Sequence, residues 1–157
     1  MDARAAATRF SALAVRRRLS LGVMHSANPA DFALVLAAAA RAFAPAREYR
    51  ERDVNDVLRA WLAGTGAMLD VDHVELRRWL VDTGVLARDG FGHAYARATP
   101  RADIAAAIAA LAPHDPVALA RTACDAEAAR RAARKAQWAA GTPGASSVAT
   151  TVPADPK

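Results

Sequence analysis

Lysine is nearly absent from this chain: Lys135 and Lys157 are the only two among 157 residues, while arginine is abundant. The skew fits a high-GC genome, so the arginine count alone overstates any enrichment for binding. Cysteine occurs once, at Cys124. A single thiol forms no internal disulfide, which fits a reducing cytoplasm, and a lone cysteine on an amphipathic helix is expected to act as a small inert hydrophobe. Aromatic residues are 6% of the chain, and alanine supplies much of its 54% apolar content. Bulky core formers are scarce, so one small core is expected rather than two. No apolar run approaches the roughly 18 residues of a membrane span. The stretch AVRRRLSLGVM has the twin arginines of a secretory leader, but Asn28-Pro29 interrupts the short apolar stretch after it.

Catalytic and metal-binding patterns are missing as well. His25, His73, His93 and His114 are scattered, none paired with another histidine or a cysteine at metal-ligand spacing. There is no phosphate loop, dinucleotide fingerprint or nucleophile elbow. Asp70 and Asp72 are better explained by helix capping than by acid–base work. The expectation is a protein that is not an enzyme, with no cofactor, metal or evident small-molecule substrate.

What is present is basic charge at both ends. Residues 1–50 hold eight arginines against three acids, residues 51–100 hold six against eight, and residues 101–157 hold seven basic groups against five acidic ones. A nucleic-acid binder needs a local basic face rather than a high overall charge, so the slightly acidic middle weakens that reading.

The pattern along the chain places the elements. Residues 1–18 are expected to form a frayed, arginine-bearing helix, and Arg18 to Val23 a short strand. Asn28-Pro29 starts a helix whose apolar residues Phe32, Val35, Leu36, Ala39 and Phe43 recur at helical spacing. Arg47-Glu48-Tyr49 reads as an extended connector. Val54, Val57, Leu58, Trp61 and Leu62 form the stripe of a second helix, ended by Gly64 and Gly66. Asp70 or Asp72 caps a third helix, which stops at Thr83-Gly84. Residues 85–88 and 91–95 then pair across Asp89-Gly90 as a hairpin, with Tyr49 and Tyr95 packed together at its base. Arg101 to Ala112 and Asp115 to about Ala139 read as two further helices.

The fold class expected is mostly α: three helices followed by a two-stranded hairpin, the winged helix-turn-helix order, with an extra C-terminal helical extension. The division is a basic N-terminal segment over 1–27, a winged-helix-like domain over 28–99, the extension over 100–140 and a disordered tail over 141–157.

The segments AFAPAREYRERDVNDVLRAW and DHVELRRWLVDTGVLARDG, closed by Tyr95, resemble a bacterial family of unknown function. Its pattern runs F-x-P-x-x-x-Y-x-E-x-x-V-N-x-x-L, then D-x-x-x-L-R-R-x-L-V-D-x-G-x-L-x-R and a terminal tyrosine. The matching span is about Phe43 to Tyr95. Members occur alone or attached to helix-turn-helix regulators, so the resemblance implies a winged-helix-like, regulator-type module and no known reaction. Two departures stand out. Arg50 replaces the Ser or Thr that would complete a capping box with Asp53. The linker Gly64 to Val71 is longer than usual and is expected to loosen the junction of the second and third helices.

Arg77 and Arg78 sit side by side on the third helix. At about 100° per residue, Arg77 turns toward the buried half between Leu76, Leu80, Val74 and Val81, and Arg78 shares the opposite face with Glu75 and Asp82. An inward arginine requires a partner, and Glu51, Asp53 and Asn55 are the candidates for a structural clasp. If the module binds DNA, the phosphate contacts fall to Arg78, Arg88 and Arg97, helped by Arg16, Arg17 and Arg18. The rival reading is a protein-interaction or homodimer module docking through Trp79, with Arg130, Arg131 and Arg134 as an arm.

Overall fold

Asp2 starts the first helix, α1 (Ala3–Ala14): its carboxylate accepts a hydrogen bond from the Ala5 amide at 2.8 Å, satisfying one open N–H of the first turn. In this computed structural model, which describes residues 1–141, the chain continues with α2 (Leu21–Ala27), α3 (Pro29–Ala40), β1 (Glu48–Arg50), α4 (Glu51–Ala63), α5 (His73–Asp82), β2 (Leu86–Arg88), β3 (Ala94–Arg97), α6 (Ala102–Leu111) and α7 (Pro116–Gly141). The described chain is mostly helical, with a small antiparallel sheet ordered β1-β3-β2. No single described helix is long and apolar enough to cross a membrane.

Helix α3 is the centre of the core. Every residue from Asp31 to Ala40 is buried, with α6, α2 and α1 packed around it. The alanines on α3 and α6 let the helix axes approach closely, which substitutes for the missing bulk. Helix α1 buries Ala6, Phe10, Leu13 and Ala14 in the same cluster. The segment expected to fray is therefore a packed helix, and the core extends well beyond three helices and a hairpin. One charge is buried in α3: Asp31, whose side chain is 7% exposed, receives Arg9 Nε at 2.7 Å and Nη2 at 2.6 Å. The hydrogen bond to Asp31 first, and charge attraction second, hold the Arg9 pKa above its usual range.

The strand expected over Arg18–Val23 does not form. Ser20 instead caps α2, its hydroxyl accepting from the Val23 amide at 3.4 Å. Leu19 makes an isolated parallel bridge to Leu69: its N–H donates to the Met68 carbonyl and its carbonyl accepts from the Asp70 N–H, both at 2.9 Å. This bridge pins the linker between α4 and α5. Thr65, Gly66 and Met68 are buried, and the Trp61 ring lies against Gly66 where a Cβ would stand. The insertion expected to loosen the junction is thus locked by packing.

Residues 48–50 are a strand rather than a connector, pairing Tyr49 with Tyr95 on β3. Both tyrosines are buried, Phe43 meets Tyr49 edge-on at 5.3 Å, and the Tyr49 hydroxyl accepts from the Ala44 amide at 2.8 Å. The hairpin turn is wider than Asp89-Gly90, since Arg88 pairs with Tyr95. Asp89 makes the difference: its Oδ1 accepts from the His93 amide at 2.7 Å and the Ala94 amide at 3.2 Å. Those amides, Ala94 first, hold the Asp89 carboxyl below its ordinary range. The left-handed residue is Gly92 (φ 76°), and Gly90 has no positive φ.

Helix α7 packs on α1 through its first half, where the Cys124 thiol lies 3.5 Å from the Ala14 carbonyl although the residue is exposed. From Ala128 to Ala140 every residue is exposed. The helix reaches Gly141, and the rest of the tail expected over 141–157 lies outside the described residues.

Candidate functional site

Helix α5 begins at Asp72, whose Oδ1 accepts from the Val74 amide at 2.9 Å and the Glu75 amide at 2.8 Å. The Glu75 bond is the main cause of a carboxyl pKa below the ordinary value. The helix ends where Gly84 takes φ 75°, with the Thr99 carbonyl oxygen 3.1 Å from where a Cβ would stand. Leu76 and Leu80 enter the core. Trp79 also turns inward, its ring 5.1 Å from both Phe32 and His25. Trp79, which the rival reading offers as a docking anchor, forms a half-buried seam between α5, α3 and α2.

Arg77 leans from α5 toward α4. One of its terminal nitrogens, Nη1, donates to Glu51 Oε1 and to Asn55 Oδ1, each at 2.7 Å, and the guanidinium lies 5.8 Å from the Tyr95 ring centre. Its side chain is 18% exposed. Asp53 is not part of this clasp; its carboxylate accepts from the Arg50 amide at 3.3 Å. An arginine side chain carries donors alone, so with Arg50 at the N-cap only that half of a capping box survives.

The two arginines consequently differ in a measurable way. Arg77→Ala is expected to cost about 1–2 kcal/mol, because it leaves the half-buried Asn55 unpaired while the more exposed Glu51 resolvates. Arg78→Ala is expected to stay within about 0.5 kcal/mol of the parent. Urea unfolding of the two variants side by side checks this, and equal costs would contradict it.

Between α5 and the hairpin lies a cleft of about 340 Å³, lined by Arg77, Arg78, Asp82, Arg88 and Tyr95 among others. Arg77 is neutralised by Glu51. The guanidinium groups of Arg78 and Arg88 make no hydrogen bond or ion pair among the described residues. The cleft therefore offers two guanidiniums without a hydrogen bond or ion pair, beside Asp82 and Tyr95, an arrangement suited to an oxyanion such as phosphate.

The remaining candidates lie elsewhere. Arg97 is half-buried on β3, opposite Leu86 on β2, and does not line the cleft. Arg16 and Arg17 border a separate crevice with Glu127 and Arg131. Arg18, held at φ 59°, leans to Asp70 at 3.4 Å. On α7, Arg130 and Arg131 both bond Glu127, at 3.0 and 2.9 Å, with Arg134 at 3.4 Å. Arg131 first, then Arg130, hold the Glu127 carboxyl low. One glutamate among three arginines leaves that stretch cationic. Among the described residues no group of three His, Cys, Asp or Glu side chains is placed to hold a metal ion.

One residue on this face escaped sequence reasoning. Phe91, expected inside a strand, stands at the tip of the hairpin with 86% of its surface exposed. The available signal was a lone aromatic between two glycines, Gly90 and Gly92, within a turn.

Residues 25–97 match the family described as an uncharacterized protein conserved in bacteria (DUF2087). The match extends the resemblance on the N-terminal side to His25 and ends at Arg97, the last residue of β3. No curated protein and no solved structure matches the chain.

Proposed function

We propose that α3 to β3 form a winged-helix module of a cytoplasmic bacterial regulator, which binds nucleic acid or works within a transcriptional complex and has no catalytic chemistry of its own. The element order α3-β1-α4-α5-β2-β3 supports the winged-helix reading, as does the sheet order β1-β3-β2 with β1 completing the hairpin. In that reading α5 occupies the recognition position and β2–β3 is the wing. The observation that carries the functional part is the pair Arg78 and Arg88, both lining the cleft without a hydrogen bond or ion pair among the described residues, while their neighbour Arg77 is tied to Glu51. A scaffold needs the tied arginine, whereas two guanidiniums that line one cleft without an ion pair favour a polyanion.

Mobility shift with random duplex over a series of salt concentrations tests this. Affinity is expected to fall steeply with salt, and Arg78→Ala and Arg88→Ala each to weaken binding and reduce the log–log salt slope by about one. Absence of binding at low salt, or slopes unchanged in both variants, overturns the reading.

The second reading is an interaction or homodimer module on the same scaffold. The exposed end of α7, with Arg130, Arg131 and Arg134, favours it. Trp79 no longer does, being packed on Phe32 and His25. Heparin retention that survives Arg78→Ala and Arg88→Ala but is lost on replacing the three α7 arginines would favour this second surface.

A further inference from the structure

We propose that the tip of the β2–β3 hairpin is a stacking site for an unpaired nucleobase, so that the preferred nucleic acid is single-stranded or locally opened rather than intact duplex. The inference rests on the nucleic-acid reading above and names its substrate class. Three observations carry it. Phe91 is 86% exposed at the hairpin tip, so most of its ring is accessible to a flat partner. The His93 ring lies 6.4 Å away with its plane inclined by only 22°, so the tip presents two nearly parallel π surfaces. Arg88 reaches the same place: a Cβ on Gly92 would stand 3.6 Å from Arg88 Cδ and 3.8 Å from its Nη1. The guanidinium thus lies beside the glycine that separates the two rings.

These features match one nucleotide. An aromatic face takes a base of any identity by stacking, and an unpaired arginine next to it takes the adjoining phosphate. The site is also held in shape, because Asp89 Oδ1 bonds the amides of His93 and Ala94 beneath the rings. An intact duplex offers no free base face, and Phe91 could meet one only by unstacking a base step. A membrane surface is a poorer fit, since one phenyl ring flanked by an imidazole and a guanidinium provides little apolar area for insertion.

The test uses the full chain and three labelled probes of the same sequence: a single strand, a perfect duplex, and a duplex with a central mismatched bubble. Anisotropy titrations are expected to rank single strand and bubble above duplex. Phe91→Ala is expected to lose roughly tenfold on the first two probes and less than about twofold on the duplex. Phe91→Trp is expected to retain the ranking and to show quenching by the single strand beyond that of the parent. Thermal melting verifies that these surface variants fold like the parent. If Phe91→Ala binds all three probes like the parent while Arg88→Ala weakens them, the stacking site is wrong and the nucleic-acid reading survives. If no probe binds at low salt, both fall.

Discussion

Phe10→Ala is expected to lower the unfolding free energy by about 3–5 kcal/mol, with a fall in melting temperature of roughly 10 °C. Phe10 is fully buried, and it sits on a helix that faces α3, α6 and α7 together. Removing its ring opens a cavity in a close-packed core whose surroundings relax only in part. Arg16→Ala, three residues past the last large core residue of α1, is the control and should change stability by less than about 0.5 kcal/mol. Guanidinium denaturation measures both. A Phe10→Ala cost under about 1 kcal/mol would mean that α1 is detached from the core rather than part of it.

Gly66→Ala is the second large effect, expected at about 1–3 kcal/mol. A methyl group at this position overlaps Cζ3 and Cε3 of Trp61, whose ring is buried, so either the ring or the linker backbone has to move. The backbone is held by the Gly66 N–H to the Trp61 carbonyl at 2.8 Å and, three residues on, by the Leu19–Leu69 bridge. The damage therefore reaches the junction of α4 and α5. Tryptophan emission should shift to the red and the melting transition move down. Gly90→Ala, with nothing within 4 Å of the added carbon, is the neutral counterpart. If Gly66→Ala melts with the parent, the ring has room to turn and the junction is not locked.

These two sites are also where sequence reasoning fell short, and for one physical reason. Residues 1–18 contain only Phe10 and Leu13 as large apolar side chains on the helix that forms, and the rest of its buried face is alanine. Alanine gives almost no hydrophobic periodicity, because it is at home on exposed and buried helix faces alike. Its packing value depends on which helix lies opposite. Likewise, the glycines after Trp61 mark a loop in sequence, but whether that loop is loose or filled depends on a ring folding back and on Leu19, some 50 residues earlier. The turn misled for a local reason: Asp89-Gly90 is a strong two-residue hairpin signal, yet the aspartate side chain bonded ahead to His93 and Ala94 and widened the loop.

Where periodicity was strong, it was informative. Val54, Leu58 and Trp61 on α4 and Leu76 and Leu80 on α5 are buried as their spacing requires. The helical rotation of about 100° per residue also separates Arg77, turned to Glu51 and Asn55, from the exposed Arg78. These features are local: a cap, a stripe and the angle between adjacent side chains are set within a few residues. Partner choice is not local. That Glu51 and Asn55 rather than Asp53 receive Arg77, that Trp79 faces His25 and Phe32, and that Arg88 arrives beside Phe91 are outcomes of how separate elements meet. The amino-acid sequence by itself marked α3 to α7 and the apolar stripes of α4 and α5, but neither α2 nor the buried face of α1. Only the tertiary structure decided which charges remain uncommitted, because an arginine is free or paired according to carboxylates brought near it by packing at long range.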